Sequence, residues 1–454
     1  MIHRIAGSFR DPSGFVFRED GVVKRQVNSG FRSEFDALAT SGLYDELVSA
    51  GLLVSHQVER EDADGTVVIV PQQVPFISYP YEWSAGQLRA AALVTLRAQR
   101  AALERGMTLR DASAFNVQFV DGRPLLIDTL SFGALEEGMP WVGYRQFCQH
   151  FLAPLALMTL VDVRLGQLSR HHLDGVPLDL ASTLLPQRTR VVPSLAMHIH
   201  AHARSQRRYA HDPDAPTARA KGRFSMNAFR GLVDSLESAV AKLERDVPES
   251  TWVDYYDGDS YTDESFEHKS KLVAAFLADV EPAQVWDLGA NTGHFSRIAA
   301  SQGAQVVAFD VDASAVEAHH RALRGERSAI LPLVMDLTNP SPGLGWEHTE
   351  RESLTARGPV DLALALALVH HLAIGDNVPL RRVADWFAAL ASALVIEFVG
   401  KSDPKVRRLL ATRDDVFDDY DVEGFEAAFA GRFDTLRREP VHGSERVLYL
   451  MRRR

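Results

Sequence analysis

Residues 285–293 of the chain read Val-Trp-Asp-Leu-Gly-Ala-Asn-Thr-Gly. The apolar start predicts a short buried strand, the glycines predict a turn, and residues 294–300 predict a helix that follows directly. A turn that ends a strand and opens a helix leaves backbone N–H groups in need of partners. Such a turn favours binding of a small polar ligand.

Strands and helices alternate from about residue 251 onward, which is typical of a parallel α/β sheet. Polar residues follow the predicted strands and would meet at the carboxyl edge of the sheet, where open α/β sheets bind ligands. The predicted strands are 284–288, 305–309, 329–334, 361–367 and 394–396, followed by an antiparallel pair at 433–436 and 446–451. The pattern therefore predicts a seven-stranded Rossmann-like sheet.

The spacing of the turn separates two classes of ligand. The G-x-G-x-x-G pattern of nicotinamide dinucleotide sites is absent after Gly289. S-adenosylmethionine instead needs a turn for its amino-acid tail, a carboxylate for its ribose hydroxyls and an edge for its adenine. Asp287 and the N–H groups after Gly289 suit the tail, Asp310 suits the ribose, and Asp336-Leu337 suits the adenine. The predicted cofactor-binding residues are Asp287, Gly289, Ala290, Asn291, Gly293, Asp310, Val311, Asp312, Asp336 and Leu337.

These residues resemble the class I methyltransferase family over about residues 250–454. The stretch from Asp287 to Gly293 matches the D-x-G-x-[GN]-x-G motif of that family. Asn291 stands where many members carry glycine, which is a mild departure because asparagine tolerates unusual backbone angles. A nucleotide-binding α/β domain of another kind is the alternative interpretation.

The ends of the fourth and fifth predicted strands supply candidate bases for a hydroxyl acceptor. His370 and His371 follow the fourth strand, and histidine titrates near neutrality. Glu397 ends the fifth strand and is the second candidate. The alternative is that one histidine bonds the backbone while the other packs or meets solvent. Four aromatic residues precede the first helix of the sheet and could form a lid, a sugar-stacking wall or interdomain packing: Trp252, Tyr255, Tyr256 and Tyr261.

Residues 1–185 predict an α+β domain built from a hairpin, a helix at 33–50, a strand, a long helix at 84–107 and a second hairpin. Asp111 and Asn116 lie between the long helix and the second hairpin, and Asp128 ends that hairpin. The arrangement resembles the catalytic loop and metal-binding strand of the protein-kinase-like fold. The resemblance implies that Asp111 acts on an acceptor hydroxyl and that Asn116 and Asp128 hold Mg²⁺.

The resemblance also requires a lysine for the ATP phosphates, and Lys24 or Arg25 would take that place. Two features depart from the kinase pattern. No G-x-G-x-x-G loop lies near residues 13–14, and Asp128 is followed by Thr129-Leu130 rather than Phe-Gly. Binding of ATP and Mg²⁺ therefore stays open, and the alternative is that the Asp and Asn side chains only cap turns.

The whole chain looks like a bacterial group of two-part methyltransferases related to a rhizobial host-specific nodulation protein. The residues that carry this resemblance are 111–116, 127–132, 144–147 and 397–399. The resemblance implies a methyltransferase with a kinase-like N-terminal part, and it leaves the methyl acceptor open.

Residues 186–250 predict a basic, partly helical connector between the two domains. Its positive charges could grip an anionic substrate, although a solvated face is the simpler interpretation. His198 and His202 would share a helix face, but no Cys or flanking Glu completes a zinc ligand set, so we predict no metal site. The basic residues are Arg188, Arg190, Arg204, Arg207, Arg208, Arg219, Lys221, Arg223 and Arg230.

Bulk properties restrict the class of protein. The 454 residues are too many for one ordinary core, and the net charge of -11 argues against general nucleic-acid binding. One cysteine, Cys148, forms no intrachain disulfide and fits a reducing cytosol. No signal peptide or membrane span is predicted, so we expect a cytoplasmic location. The oligomeric state is open.

Three functions remain at this stage. The leading one is an S-adenosylmethionine-dependent methyltransferase for a hydroxyl or amine of a small molecule or glycan. The second is a bifunctional enzyme that also phosphorylates with ATP and Mg²⁺ in its N-terminal domain. The third is a binding scaffold without catalysis, which the intact cofactor motif disfavours.

Overall fold

The computed structural model describes residues 3–209, 224–244, 262–411 and 413–454. The chain divides into two compact units: unit 1 is Met1–Asp246 with Gly345–Arg351, and unit 2 is Val247–Leu344 with Glu352–Arg454. The aromatic residues at 252, 255, 256 and 261 and the basic residues at 219, 221 and 223 lie outside the described residues. Both units combine helices with sheets, as expected.

Unit 1 holds a five-stranded antiparallel sheet in the order β1-β2-β3-β5-β4 and two short two-stranded sheets, β6-β9 and β7-β8, within its described residues. The strands are β1 His3–Arg4, β2 Gly14–Glu19, β3 Val22–Val27, β4 His56–Glu61, β5 Val67–Pro71, β6 Met107–Leu109, β7 Val117–Val120, β8 Arg123–Leu126 and β9 Phe132–Ala134. Both predicted hairpins are confirmed. Their Asp-Gly turns have positive φ at both residues, as two-residue hairpin turns require.

The helices of unit 1 are α1 Arg32–Thr40, α2 Leu43–Ser49, α3 Ala85–Glu104, α4 Tyr144–Phe147, α5 Ala153–Leu160, α6 Leu168–His171, α7 Leu178–Leu184, α8 Pro193–Leu195, α9 His202–Tyr209 and α10 Met226–Lys242. The prediction of one helix over 33–50 is wrong, because Gly42 takes φ +75° and separates α1 from α2. The long helix is confirmed, and the Ser84 hydroxyl caps it by accepting from the Gln87 N–H.

The described part of the predicted connector belongs to unit 1. Helix α10 lies against α3, where Arg100 pairs with Asp234 at 2.8 Å and Arg230 pairs with Glu104 at 3.0 Å. Arg230, one of the basic side chains of the predicted connector, therefore has a structural partner on α3. The division at 185 and 250 stays a prediction, and the contacts place residues 186–244 with the first unit.

The histidines considered as metal ligands contact other side chains of unit 1. His198 contacts the Tyr144 hydroxyl through Nδ1 and the Ser235 hydroxyl through Nε2, both at 2.9 Å. His202 stacks on the Tyr144 ring with centroids 5.1 Å apart. Within the described ranges, no group of three or more His, Cys, Asp and Glu side chains could hold a metal ion.

The described residues of unit 2 form a seven-stranded sheet in the order β12-β11-β10-β13-β14-β16-β15. The strands are β10 Gln284–Leu288, β11 Gln305–Asp310, β12 Ile330–Val334, β13 Val360–Ala365, β14 Ala391–Phe398, β15 Phe433–Pro440 and β16 Val447–Arg453. Strands β10 to β14 are parallel, and β16 is antiparallel to both of its neighbours. The chain moves outward from β10 to β12 and then returns to β13 on the other side of β10. That reversal creates a crevice at the carboxyl ends of β10 and β13.

The helices of unit 2 are α11 Asp263–Val280, α12 His294–Ser301, α13 Ala313–Ala322, α14 Leu380–Leu390, α15 Pro404–Leu410 and α16 Val422–Ala430. Side chains of the central strands form a core with α11 and α12, including the fully buried Val285, Leu362, Leu364 and Val395. This burial holds the strand ends in place. No helix among the described residues is both long and apolar enough to cross a membrane.

Candidate functional site

The motif turn between β10 and α12 has the backbone that its sequence predicts. Gly289 takes φ +82°, Asn291 φ +51° and Gly293 φ +84°, all in the left-handed region. Asparagine enters this region more readily than most residues, so Asn291 takes a glycine-like conformation at modest cost.

The backbone N–H groups of the turn donate within the protein. Gly289 and Ala290 both donate to the Phe309 carbonyl at 2.9 Å, and Asn291 donates to Asp310 Oδ2 at 2.8 Å. Thr292 donates to the Asn291 side chain, and Gly293 donates to the Ala290 carbonyl. The expectation that these N–H groups meet a ligand tail is therefore not what the structure shows. The lining carboxylates Asp287 and Asp310 offer polar contacts at this end of the site.

A cavity of about 370 Å³ lies at the carboxyl ends of β10, β11, β12 and β13. Pockets of this size hold small-molecule ligands and cofactors. The predicted residues that line it together are Asp287, Gly289, Asn291, Asp310, Val311, Asp336, Leu337 and His371. The predicted residues that do not line it are Ala290, Gly293, Asp312, His370 and Glu397.

Asp287 and Asp310 end the neighbouring parallel strands β10 and β11. The Ser296 hydroxyl donates to Asp287 at 2.6 Å, and the backbone N–H groups of Asn291 and Asp312 donate to the two oxygens of Asp310. The pKa of each carboxyl is raised to about 6, mainly by burial, and repulsion from Asp310 contributes to the shift of Asp287. The two acids therefore form a desolvated anionic centre that favours a cationic or hydroxyl-rich ligand.

The edge of the cavity after β12 carries a second acidic pair. Asp336 is exposed and accepts from the Thr338 N–H at 2.8 Å, which fixes the turn. Asp376 also lines the cavity, and its pKa is raised by burial and by the charge of Asp336. Leu337 is half-buried and lines the same edge. The edge thus combines acceptor oxygens with an apolar surface, as a purine ring requires.

The two candidate histidines occupy different positions. His371 lines the cavity, whereas His370 is fully buried behind it, and their ring centroids are 4.2 Å apart. Burial lowers the pKa of both imidazoles, and the positive charges of Lys405 and Arg446 lower that of His371 further. Both rings are therefore neutral at neutral pH. His371 is placed to meet an acceptor, and its role as a base stays a prediction.

Glu397 belongs to a buried ionic network behind the cavity. Its Oε2 accepts from Lys269 Nζ and from the Ala367 N–H, both at 2.7 Å, and Arg446 lies 3.6 Å from Oε1. Arg446 pairs in turn with Asp403 at 2.8 Å. A carboxylate held by two cations is a weak proton acceptor, so the network disfavours Glu397 as the base.

Lys269, Asp376 and Ala367 are among the lining residues that were not predicted from the sequence. Lys269 lies on α11, far from the motif in sequence, and Asp376 follows a π-helical turn at His371–Gly375. Ala367 follows β13 and takes φ +51°, which is unusual for a residue with a Cβ. A helical lysine and an alanine in an apolar run give no signal in the sequence, because only the tertiary fold brings them to the cavity.

The other predicted cofactor residues support the turn from behind. Ala290 is buried at the start of the turn, and Gly293 is the residue that precedes α12. The Asp312 carboxylate accepts from the Ser314 N–H at 2.8 Å and thereby caps α13. These residues shape the site without lining the cavity.

Unit 1 brings together the three residues that resemble a kinase site. Asn116 Nδ2 lies 3.2 Å from the Ser131 hydroxyl, which donates to Asp128 at 2.7 Å. Asp111 accepts from Gln146 at 2.7 Å, and its pKa is raised by burial and by the charge of Asp128. Asp111, Asn116 and Asp128 therefore lie close together, and the chemistry open to them depends on which cation faces them.

The cation that faces this cluster is Arg25 and not Lys24. Arg25 pairs with Asp128 Oδ1 at 2.8 Å and also with Asp11. Lys24 points to the other face of β3, where it pairs with Glu19 at 2.9 Å and Glu59 at 2.6 Å. The choice of Lys24 for the kinase-like site is therefore wrong, because successive side chains of a strand point to opposite faces.

A protein of known sequence is similar to this chain over almost its full length. It is 38% identical over 465 residues to the nodulation protein NoeA of Rhizobium meliloti (strain 1021), with 99% of this chain and 96% of that protein covered. The chain belongs to the NoeA family. Membership in the NoeA family confirms the predicted resemblance to a rhizobial nodulation group. No family model matches the chain.

Solved structures match parts of this NoeA-family chain. The bifunctional kinase-methyltransferase WbdD matches with TM-score 0.31 and 19% identity over 44% of this chain and 42% of its own. The N-methyltransferase NodS from Bradyrhizobium japonicum WM9 matches with TM-score 0.32 and 14% identity, over 42% of this chain and 97% of its own. Magnesium protoporphyrin IX methyltransferase (ChlM) from Synechocystis PCC 6803 with bound SAH matches with TM-score 0.33 and 16% identity, over 45% of this chain and 95% of its own. Likenesses of this size carry no argument about the chemistry of this chain.

Proposed function

We propose that unit 2 is an S-adenosylmethionine-dependent methyltransferase that acts on a hydroxyl or amine of a small molecule or glycan. One observation carries the proposal. The acids that end three successive parallel strands, Asp287, Asp310 and Asp336, line a single cavity of about 370 Å³ beside a left-handed glycine turn. The order of these acids along the sheet matches the order of tail, ribose and adenine in the cofactor.

The donor and acceptor chemistry of the cavity fits this cofactor. Each oxygen of Asp310 accepts one backbone N–H and keeps a second lone pair, so the carboxylate can also accept from a ribose diol. Asp287 offers negative charge to an ammonium, and Asp336 offers an acceptor to an exocyclic amine. The apolar Phe295, Leu366 and Leu372 complete the lining and exclude water.

When bound, the cofactor supplies a methyl group that its positive sulfonium already activates. The chain then has to hold an acceptor in line and remove its proton. Orientation alone can supply roughly 7–11 kcal/mol of the barrier. His371 is neutral and lines the cavity, so its ring can take the proton of a hydroxyl acceptor. The buried His370 packs against His371 and restricts its orientation.

The bifunctional alternative depends on unit 1. An active kinase needs the carboxylate at Asp128 for a metal ion. In unit 1 the Arg25 guanidinium pairs with that carboxylate at 2.8 Å, so it would compete with a metal ion for the same oxygen atom. We therefore propose that unit 1 binds substrate or regulates unit 2, without phosphoryl transfer.

Calorimetry on one sample of the full chain separates the three functions. S-adenosylmethionine and Mg-ATP would each be titrated into the same preparation. Binding of S-adenosylmethionine without Mg-ATP is the expected result. Binding of both would favour the bifunctional enzyme, and binding of neither would favour a scaffold. Incubation with cell extract and labelled methyl donor would then identify the acceptor.

A further inference from the structure

The amino-acid tail of the proposed cofactor needs charged partners inside the cavity. Its carboxylate and its ammonium both lose hydration on entry, and each requires a partner of opposite charge or a hydrogen-bond donor. The backbone N–H groups of residues 289–293 donate to protein acceptors. A charged side chain at the cavity wall is then the strongest partner for the tail carboxylate.

Lys269 is the lysine that lines this cavity, although its side chain is only 1% exposed. Its Nζ lies 2.7 Å from Glu397 Oε2 and 4.9 Å from the centre of the Phe295 ring. Asp287 lines the same cavity, so the Lys269 ammonium and the Asp287 carboxylate border the same space. Both groups lie at the end of β10, where the tail of the cofactor is expected.

The charges at this end match an amino acid. Lys269 and Arg446 are balanced by Glu397 and Asp403, which leaves the negative charges of the lining acids Asp287 and Asp310 in excess. A ligand that brings an ammonium, a carboxylate and a sulfonium carries one net positive charge. Its entry would offset one of these two negative charges, which is favourable in a region of low dielectric.

We propose that Lys269 binds the carboxylate of the cofactor's amino-acid tail and that Asp287 binds the tail ammonium. An ammonium has three N–H donors, so it can serve Glu397 and a ligand carboxylate at once. Glu397 is then a positioning residue that fixes Lys269 and the Ala367 N–H at the cavity wall. The assignment rests on the proposed function.

Two ligands that differ in the tail test the assignment by calorimetry on the full chain. S-adenosylhomocysteine carries the amino-acid tail, and 5′-methylthioadenosine lacks it. Lys269→Met should weaken S-adenosylhomocysteine by about 30-fold or more while 5′-methylthioadenosine changes by less than about 3-fold. Lys271→Met on the same helix is the matched control, because Lys271 is 70% exposed and pairs only locally with Glu267. It should leave both affinities unchanged.

Removal of Lys269 alone leaves the buried Glu397 carboxylate with one counter-ion fewer, which could destabilise the fold. A second variant separates that effect from loss of ligand binding. Lys269→Met with Glu397→Gln removes one charge of each sign and should show the same selective loss, with a far-UV spectrum like that of the wild type. An equal loss of affinity for both ligands, or an unchanged affinity for S-adenosylhomocysteine, would overturn the assignment of Lys269 and leave the proposed function standing. A wild-type chain that binds neither ligand would overturn the proposed function and this assignment with it.

Discussion

The imidazole of His319 lies directly beneath Gly293: a Cβ placed on Gly293 would come within 2.0 Å of the His319 ring. The ring is 1% exposed and belongs to α13, so it cannot move away without disturbing the sheet. The glycine of the motif turn is therefore required by close approach as well as by its φ of +84°.

Gly293→Ala should lower the free energy of unfolding by about 3 kcal/mol, since it adds overpacking to backbone strain. Gly303→Ala is the matched control, because Gly303 has φ +95° with no atom within 4 Å of its Cβ position. It should cost only about 1 kcal/mol of backbone strain. Denaturant unfolding of both variants measures the difference. Equal losses in the free energy of unfolding would show that the His319 ring moves away and accommodates the added methyl group.

The pH dependence of cofactor binding should report the buried acids. A pKa of about 6 means that folded Asp287 and Asp310 hold protons more tightly than the unfolded chain does. They therefore favour the folded state at low pH, and that contribution is lost as pH rises from about 4 to about 6. A cationic ligand prefers the ionised acids, so its affinity should rise as pH rises through about 6.

Calorimetry at about pH 6 in two buffers of different ionisation enthalpy should show proton release when S-adenosylmethionine binds. The release should vanish near pH 8, where the acids are already ionised. Proton uptake at about pH 6, or no exchange at all, would contradict the assignment of these carboxyls to a cationic ligand.

Replacement of His371 by glutamine should separate catalysis from binding. The variant lacks the proton acceptor at the cavity wall, so methyl transfer to a hydroxyl acceptor should fall by roughly 10²–10⁴-fold. Affinity for S-adenosylhomocysteine should change by less than about 3-fold. His442→Gln is the control, because His442 is 67% exposed and lies outside the cavity. Transfer at the wild-type rate would remove His371 as the base and favour an amine acceptor.

Arg25 and Lys24 are adjacent cations on β3, so a variant of Lys24 is a matched control for a variant of Arg25. Arg25→Met leaves Asp128 and Asp11 without their shared counter-ion, and it should destabilise unit 1 by about 2 kcal/mol. Lys24→Met removes pairs on the other face of the strand and should cost less. Millimolar Mg²⁺ should raise the melting temperature of the Arg25 variant and leave the wild type unchanged. Mg²⁺-dependent stabilisation of the wild type would mean that Arg25 does not replace a metal.

The strand β10 and the turn after it were predictable because their signals are local. Four buried positions followed by Gly289 and Gly293 admit few other conformations, and the left-handed Asn291 follows from the residue's own preferences. The carboxyl-edge acids were predictable for the same reason, since each lies within two residues of the end of its strand.

Other features depend on tertiary contacts and gave no local signal. The choice between Lys24 and Arg25 requires knowing which face of β3 meets the Asp128 hairpin. The position of Lys269 depends on how α11 lies against β14, where Glu397 holds it. The turn N–H groups were assigned to a ligand because the sequence does not show that the Phe309 carbonyl of the next strand accepts two of them.

Asp310 is the residue on which the proposed function depends most directly, because it joins the motif turn to the cavity through its bond with the Asn291 N–H. Calorimetry with S-adenosylmethionine on the wild type, Asp310→Ala and the isosteric Asp310→Asn tests it. We predict binding by the wild type, a loss of at least about 100-fold in the alanine variant and at least about 10-fold in the asparagine variant. Undiminished affinity in Asp310→Ala, with the fold intact by far-UV spectroscopy, would contradict the assignment of this cavity to S-adenosylmethionine.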